Sequence, residues 1–458
     1  ISECLVGSEM CIRDRYKDCI LFYRLGDFYE MFFDDALVAS KELEITLTGK
    51  SCGLEERAPM CGIPYHAVEG YLSKLVSRGY KVAICEQVED PKLAKGLVKR
   101  EVIRVVTPGT NLNVQSLEAG KNNYLLSIAY TPDGIGISAA DVTTGDYYVT
   151  EVEDLKKLND ELMKYEPSEI ICNEAFLVSG FDVNDLKSRL HISVNALESH
   201  MFDDDGCRRI LMKHFKVNTL IGLGVEEFPT GLLAAGALLQ YLYDTQKTDL
   251  EHFTHIYPYL TSKYMLLDSS TRRNLELTET LREKQKRGSL LWVLDKTKTA
   301  MGARLLRNYI EQPLIEKDEM EKRLDAIQEL NQDSISRDEI REYLNPIYDL
   351  ERLLSKVTYK TANPRDLIAF RNSLQMLPPI KTVLSAFEKE ELTKIREQID
   401  GLEDIYQLID EAIIDEPPLS IREGGMIKDQ FDETIDRLRS AKHDGKQWLA
   451  QLEEEDRE

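Results

Sequence analysis

Phe28 and Glu30 are the two side chains whose types and spacing suggest chemistry. They lie in the stretch RLGDFYEMFFDDA, residues 24–36, directly after Gly26 and Asp27, a pair that is typical of turns. If the chain is extended beyond this turn, Phe28 and Glu30 project to the same side, because alternate residues of a strand share a face. An apolar side chain on a loop, with a polar group beside it, is how proteins open a base step from the minor groove.

The competing interpretation is that the aromatic side chains of this stretch are all core residues: Phe28, Tyr29, Phe32 and Phe33. On residue type alone, burial is the more common outcome. The preceding turn argues against burial of Phe28. We therefore expect Phe28 to be exposed and the other three to pack at the junction between a strand and a helix.

The tetrapeptide TGKS, residues 48–51, resembles the end of a phosphate-binding P-loop. That motif needs a glycine five residues before its final glycine, and Glu44 occupies this position. We therefore expect a solvated loop here and no binding of ATP by this segment.

Asp141, in AADVTTGD (residues 139–146), is a candidate ligand for Mg²⁺ in a metal-dependent nuclease of the ribonuclease H kind. The alternative is a tight turn between two strands that uses Thr143, Thr144 and Gly145. The turn is the favoured interpretation, because no paired carboxylates and no nucleophile–base pair accompany Asp141 in the sequence.

Metal binding is not expected elsewhere in the chain. The close histidine pair, His252 and His255, lacks a nearby third ligand. The eight cysteines include no C-x-x-C pair, which favours reduced thiols in a cytosolic protein. We predict no catalytic residue and no metal ligand.

The net charge of −23 argues at first against nucleic acid as a partner, because phosphate contacts need Lys and Arg. The charge is uneven, however. Residues 16–108 carry 13 basic and 14 acidic side chains, whereas residues 388–458 carry 10 basic and 22 acidic ones. The run at 90–104 has five basic residues against two acidic ones, and a solvated face explains it equally well.

The elements that must position these residues change character along the chain. Strand and helix patterns alternate in the first half, whereas from about residue 260 the apolar period is helical. In the second α/β segment, strands that lead into alternating helix and strand predict a three-layer fold. The predicted divisions are a leader at 1–15, a mixed α/β domain at 16–108, a linker at 109–121, a second α/β domain at 122–255, a helical domain at 256–430 and a further helical segment at 431–458.

Two apolar patterns refine this organisation. The stretch GLLAAGALLQYLY, residues 231–243, is shorter than the roughly 20 residues that a membrane span needs. In the helical half, one helix face is predicted by apolar residues at three- and four-residue spacing: Ile340, Leu344, Ile347, Leu350 and Leu354.

The leader, ISECLVGSEMCIRDR, shows no helical or strand period and lacks the features of a signal peptide. It resembles translated adaptor sequence, and we expect it to be non-native. The far end stops within a helical pattern without a stop signal, and we expect a truncation there.

Several blocks resemble the MutS family of DNA mismatch repair proteins. LFYRLGDFYEMFFDDA, APMCGIPYHAVEGYLSKLVSRGYKVAICEQ and REVIRVVTPGT are similar to its mismatch-recognition domain. LLDSSTRRNLELTETL, LLWVLDKTKTAMGARLLRNYI, DLERLLSKV and NPRDL are similar to its lever, and IREGGMIKDQFDETIDRLR to the entry of its clamp. The resemblance implies a multidomain fold: a small mixed α/β recognition domain, a ribonuclease-H-like connector, and a long-helix lever with the start of a clamp.

The resemblance places the family's Phe-x-Glu on Phe28 and Glu30, which implies that Phe28 stacks on a mispaired base while Glu30 hydrogen-bonds it. From charge and proximity we add contacts to the DNA backbone from Arg24, Lys50 and Arg57 as expectations. Tyr65 and His66 belong to the same block, and we expect them to pack beneath the DNA-facing loop.

Partners also follow from the resemblance. It implies mismatched double-stranded DNA as ligand, a homodimer for the full-length protein, a MutL-type repair partner and a cytoplasmic location in bacteria. ATP and Mg²⁺ would belong to an ATPase domain whose P-loop these 458 residues lack, so we expect no cofactor and no enzymatic activity here. A metal-dependent nuclease and a helical scaffold that binds only proteins remain the alternatives.

Overall fold

A computed structural model describes residues 9–51, 57–89, 98–113, 117–190, 192–442 and 445. The chain divides into two compact units. One comprises Ile1–Glu316 together with Leu354–Tyr359, and the other comprises Lys317–Leu353 together with Lys360–Glu458.

The first unit begins with a six-stranded sheet flanked by helices. Helix α1 includes residues 9–13. The following elements are β1 (Ile20–Leu25), β2 (Phe28–Phe32), α2 (Phe33–Leu43), β3 (Thr48–Lys50), β4 (Ala58–Pro64), α3 (Val68–Ser77), β5 (Val82–Gln87) and β6 (Arg100–Val106). The strand order is β3-β4-β2-β1-β5-β6. The pair β1–β5 is parallel and the other neighbours are antiparallel.

Alternation along β1 and β2 builds a core on each face of this sheet. Phe22 and Tyr29 pack with residues of α2 and α3 on one face. Tyr23 and Phe32 pack on the other face, where Ile12 of α1 joins them. The helical residues 9–13 differ from the sequence prediction of no helical period in the leader. Whether residues 1–15 are native stays a prediction that the encoding DNA would test.

The segment TGKS was predicted as a loop, and this prediction was wrong. Thr48–Lys50 is strand β3, which pairs antiparallel with β4, so that Lys50 lies opposite Ala58. The short strand is specified by this pairing and not by its own residues, because Gly is a poor strand former.

A second sheet follows in the same unit. Its strands are β7 (Leu125–Thr131), β8 (Gly134–Asp141), β9 (Asp146–Val152), β10 (Glu169–Cys172), β11 (Ser193–Ala196) and β12 (Tyr257–Pro258), in the order β11-β10-β7-β8-β9-β12. Strands β7 to β9 form an antiparallel meander, and β10 and β11 continue the sheet in parallel from β7. The intervening helices are α4 (Leu155–Tyr165), α5 (Glu174–Leu177), α6 (Val183–Arg189), α7 (Asp204–Phe215) and α8 (Pro229–Gln246).

Helices cover both faces of the second sheet. Leu125 and its face pack against α7 and α8, whereas Leu126, the next residue, packs against α4 to α6. The three-layer arrangement predicted from the sequence is thereby confirmed. Helix α8 contains the long apolar stretch, and among the described residues no helix is long and apolar enough to cross a membrane.

The segment between the two domains is anchored to the second sheet. Glu169 of β10 is fully buried and accepts hydrogen bonds from the backbone N–H of Gly109 (3.1 Å) and the hydroxyl of Thr107. Tyr241 and Asn195 also donate to this carboxylate, at 2.7 and 3.0 Å. The start of the predicted linker is therefore an ordered junction.

The remaining elements are mainly helical, as predicted. Before Glu316 these are α9 (Ser269–Asn274), α10 (Leu290–Leu294) and α11 (Ala300–Glu311). Then follow α12 (Lys317–Gln332), α13 (Ser334–Leu344), α14 (Leu350–Thr358), α15 (Pro364–Leu374), α16 (Leu377–Leu384), α17 (Glu390–Gln398), α18 (Glu403–Ala412) and a helical stretch at 433–442.

The predicted apolar face from Ile340 to Leu354 is correct only in its first part. Ile340, Leu344 and Ile347 pack in one core with Ile380 of α16. The helix ends at Leu344, because Pro346 has no backbone N–H with which to continue the helical hydrogen bonds. Leu354 lies on the following helix and is 51% exposed.

Candidate nucleic-acid interface

The turn between β1 and β2 fixes the position of Phe28. Gly26 has φ +59°, a left-handed conformation that glycine adopts without steric cost. Leu25 pairs with Phe28 across the turn, and the carbonyl of Asp27 accepts a hydrogen bond from the backbone N–H of Tyr65 at 2.9 Å. The turn is therefore held from both sides.

Phe28 is exposed while its aromatic neighbours are covered. Its side chain is 48% exposed, whereas Tyr29 and Phe32 are 5% and 1% exposed. Phe33 is half-buried and packs against the core that contains Phe32. This confirms the predicted division, and the interpretation that all four are core residues is wrong for Phe28.

Glu30 of β2 lies beside Phe28, and both side chains approach Gly62 of the neighbouring strand β4. Gly62 of β4 pairs with Glu30, and a β-carbon added at Gly62 would lie 3.7 Å from Glu30 Cγ and 4.0 Å from Phe28 Cδ1. The two side chains thus lie beside the backbone of Gly62, which carries no side chain. An aromatic ring and a carboxylate are presented together, as the extended spacing predicted.

Lys50 is the immediate partner of Glu30. Its ammonium nitrogen lies 2.6 Å from Glu30 Oε2, and 5.5 Å from the centroid of the Phe32 ring. The side chains of Lys50 and Glu30 are 26% and 18% exposed. The ion pair is partly shielded from solvent, which strengthens it relative to a fully exposed pair.

The side chain of Arg24 contacts the turn and holds it in place. Its Nε donates to the carbonyl of Gly26, and Nη1 lies 3.3 Å from Glu86 Oε1. The guanidinium carbon lies 3.9 Å from the centroid of the Tyr65 ring, within cation–π range. The side chain is only 12% exposed, so these contacts define its role here, and a contact with DNA phosphate stays a prediction.

Tyr65 contacts the turn, as expected from the sequence, through its backbone N–H and its ring, whereas Glu86 was not singled out from the sequence. The hydroxyl of Tyr29 donates to Glu86, and burial together with this carboxylate raises the pKa of Tyr29. Glu86 belongs to β5, next to β1 in the sheet. Only the parallel pairing of β1 with β5 brings it to Arg24, and no local sequence pattern encodes that pairing.

The other predicted basic contacts lie at the edges of this region. Arg57 is exposed and adjoins β3, where a β-carbon at Gly49 would lie 3.0 Å from Arg57 Cβ. Of the basic run at 90–104, residues 90–97 lie outside the described part of the chain, whereas Arg100 donates to the carbonyl of Arg24 at 2.9 Å.

Asp141 lies at a tight turn, and both of its carboxylate oxygens accept hydrogen bonds. Its Oδ1 accepts from the backbone N–H and hydroxyl of Thr143 at 2.8 and 2.7 Å, and Oδ2 accepts from Asn122 Nδ2 and the backbone N–H of Asn123 at 2.9 and 3.0 Å. The backbone N–H of Gly145 donates to its carbonyl. The carboxylate is fully buried, and these contacts agree with the turn interpretation and give the nuclease alternative no support.

The two histidines of the close pair lie in different environments. His252 is buried, with its ring tilted against Phe253 and edge-on to Tyr359, and burial lowers its pKa to about 4. His255 is exposed. Within the described residues, no group of three or more His, Cys, Asp or Glu side chains is placed to hold a metal ion.

Three family models match the chain in sequence. "MutS domain I" matches residues 10–115, "MutS domain II" matches residues 123–254, and "MutS domain III" matches residues 270–457. Phe28 and Glu30 therefore lie in the part that matches domain I, and the three-layer domain matches domain II.

Named relatives cover the chain almost completely. The DNA mismatch repair protein MutS of Lachnoclostridium phytofermentans is 65% identical over 446 residues, which are 97% of this chain and 48% of the relative. The proteins of the same name from Ruminiclostridium cellulolyticum and Acetivibrio thermocellus are 52% and 50% identical, each over 98% of this chain and 51% of the relative. The chain spans about half the length of these curated relatives. Both comparisons confirm the resemblance seen in the sequence motifs: the chain belongs to the MutS family of DNA mismatch repair proteins.

Proposed function

We propose that this chain recognises mismatched or unpaired bases in double-stranded DNA, as the first step of mismatch repair. The observation that carries the proposal is the 48% exposed ring of Phe28, held on a braced turn with the Glu30 carboxylate beside it. In this proposal Phe28 enters the minor groove as a wedge, and Glu30 forms a hydrogen bond with the displaced base.

The physics of duplex DNA makes this pairing of residues effective. A mismatched step costs less to unstack and kink than a paired one, so insertion of Phe28 favours the mismatch. Phosphates offer the Glu30 carboxylate no favourable contact at other sites along the duplex. Glu30 therefore adds little to general affinity and acts as a discriminator, whereas Arg57 and other basic residues would supply backbone contacts.

The remaining domains would transmit the recognition of a mismatch to the rest of the protein. We assign the second sheet to a ribonuclease-H-like connector, because a three-stranded meander extended in parallel from its first strand is the arrangement expected of that fold. The saturated Asp141 agrees with a connector without nuclease activity. The helical residues from about 256 to 430 would form the lever, and those from 431 to 458 would begin the clamp.

Further properties are proposed for the whole protein. Its relatives are about twice as long as this chain, and we place ATP hydrolysis with Mg²⁺ in the part that the chain does not span. A homodimer, a MutL-type repair partner and action in the bacterial cytoplasm, at the nucleoid during repair, belong to the same proposal.

Equilibrium binding tests this function. The 458-residue chain is titrated against two labelled duplexes that differ only in one central pair, G·T or G·C, at one stated salt concentration, because the phosphate contribution depends on salt. We expect about tenfold tighter binding to the G·T duplex, or about 1.4 kcal/mol. Equal affinity would overturn the proposal and favour the helical protein-binding scaffold.

A further inference from the structure

We infer that Lys50 masks the Glu30 carboxylate in the DNA-free protein and releases it only at a mismatch. Lys50 is then a positioning residue that sets how strongly mismatched and matched DNA are distinguished. This inference rests on the proposed function, because it assigns the control of the same site.

The geometry supports a pair that is formed before DNA arrives. The two side chains project from β2 and β3, which are not neighbours, since β4 lies between them in the sheet. Their charged atoms meet at 2.6 Å diagonally across β4, where Glu30 lies opposite Gly62 and Lys50 lies opposite Ala58. The ammonium nitrogen of Lys50 also lies 5.5 Å from the centroid of the buried Phe32 ring. The lysine is thus held between the core and the carboxylate.

The contact has an electrostatic consequence for each encounter with DNA. An unpaired carboxylate next to the wedge would be repelled by phosphates along any duplex. Paired with Lys50, the site is neutral at close range, so matched DNA can approach with the pair intact. At a mismatch, in this inference, the displaced base replaces Lys50 on Glu30 Oε2, the oxygen that the ion pair uses, and the pair opens. Lys50 then becomes available for a nearby phosphate.

Loss of Lys50 should therefore affect the two duplexes differently. Lys50→Met exposes the Glu30 charge on matched DNA, which weakens that complex through both repulsion and the lost cation. On mismatched DNA the same variant loses a phosphate contact, but Glu30 no longer has to leave a partner. We expect matched binding to fall more than mismatched binding, so that the mismatch preference rises about two- to fivefold, the range of a partly exposed ion pair.

A double-mutant cycle tests the inference. Affinities for the G·T and G·C duplexes are measured for the full chain, Lys50→Met, Glu30→Gln and the double variant. We expect Lys50→Met to change the mismatch preference when Glu30 is present and to leave it unchanged in the Glu30→Gln background. Lys50→Arg, which keeps the charge, should restore the parental preference. A merely structural lysine would not produce this dependence on the Glu30 charge.

Lys81→Met is the matched control. Lys81 also forms an ion pair in this sheet, with Asp18 at 3.0 Å, but it directly precedes β5, at the opposite end of β1 from the turn. Lys81→Met should leave the mismatch preference unchanged. Equal losses of affinity for both duplexes, in both Glu30 backgrounds, would overturn the masking role and leave Lys50 as a simple phosphate contact.

The two proposals fail differently. If the parental chain binds both duplexes equally, the proposed function is wrong. Masking is then tested on the matched duplex alone. Lys50→Met must weaken binding to that duplex more when Glu30 is present than in the Glu30→Gln background. Absence of any binding would overturn both.

Discussion

At the scale of single residues, the exposure of Phe28 is the feature that folding does not explain. Burial of a phenylalanine side chain stabilises a protein by about 1.5–3 kcal/mol, and Phe28 forgoes a large part of this. The turn that presents it is nevertheless braced by Arg24 and Tyr65. An apolar ring held rigidly in solvent is what a wedge requires, because a flexible ring would lose entropy on insertion.

Glu30→Gln tests the proposed role of the Glu30 carboxylate in discrimination. The amide keeps the shape of the side chain and removes the charge that pairs with Lys50, which leaves the Lys50 ammonium free for phosphate, so we expect the affinity for matched DNA to rise severalfold. The affinity for a G·T duplex should change less, so the preference for the mismatch falls. Fluorescence anisotropy at two salt concentrations measures both affinities. An equal change for the two duplexes would mean that Glu30 contributes only general charge.

At the scale of elements, close helix–sheet packing holds the second domain together. Helix α8 approaches α7 at Gly236, where an added β-carbon would lie 2.3 Å from Cys207 Cβ. Gly136 of β8 meets the backbone of the same helix, with Thr230 O at 1.9 Å from a β-carbon built there. These contacts leave no room for a side chain at either position.

Gly236→Ala should therefore destabilise the chain by about 1–3 kcal/mol, the usual cost of overpacking a core. Thermal unfolding measures the effect. Gly70→Ala is the matched control, because Gly70 is also helical, in α3, and nothing lies within 4 Å of a β-carbon there. This control should raise stability by up to about 1 kcal/mol, through helix propensity. Stability changes of the same sign in both variants would contradict the packing described for α8.

Glu311 makes stability depend on pH through helix α11. Its side chain is 9% exposed, and burial raises its pKa from 4.5 to about 7, although Arg307 Nη1, 3.4 Å from Oε1, opposes the shift. The pKa is higher in the folded than in the unfolded chain. The stabilising contribution is therefore complete below pH 4.5 and is lost as the pH rises through about 7.

Glu311→Gln should remove this contribution. Between pH 4.5 and 8, the free energy of unfolding of the parental chain should fall by about 3 kcal/mol more than that of the variant. Denaturant unfolding at several pH values measures the difference. Parallel pH profiles for the two chains would show that Glu311 is ionised at neutral pH in the folded state.

At the scale of the whole molecule, the sequence predicted what is encoded locally. The Gly26 turn, the buried Tyr29 and Phe32, the three layers of the second domain and the helical second half follow from turn residues and apolar periods. Features that depend on pairing between distant segments were missed. The strand at Thr48–Lys50 exists because β4 pairs with it, and the contact between Lys50 and Glu30 follows from that strand.

The charge of the molecule limits how it can bind DNA. With a net charge of −23, the chain as a whole is repelled by phosphates, and binding must be confined to a local surface. Residues 16–108, with 13 basic and 14 acidic side chains, are nearly neutral. A nearly neutral surface binds duplex DNA weakly in general, so that under the proposed function the insertion of Phe28 would contribute a large share of the affinity.

Base unstacking by Phe28 tests the central claim most directly. A duplex carries the fluorescent base 2-aminopurine beside a G·T mismatch, and its fluorescence rises when the base is unstacked. The parental chain should raise the signal at saturation, and so should Ile103→Ala, which truncates a side chain of similar exposure (45%) on the distant edge strand β6. Phe28→Ala should leave the signal at the level of free DNA, with the mismatch preference lost. An undiminished rise with Phe28→Ala, at equal saturation, would contradict the wedge.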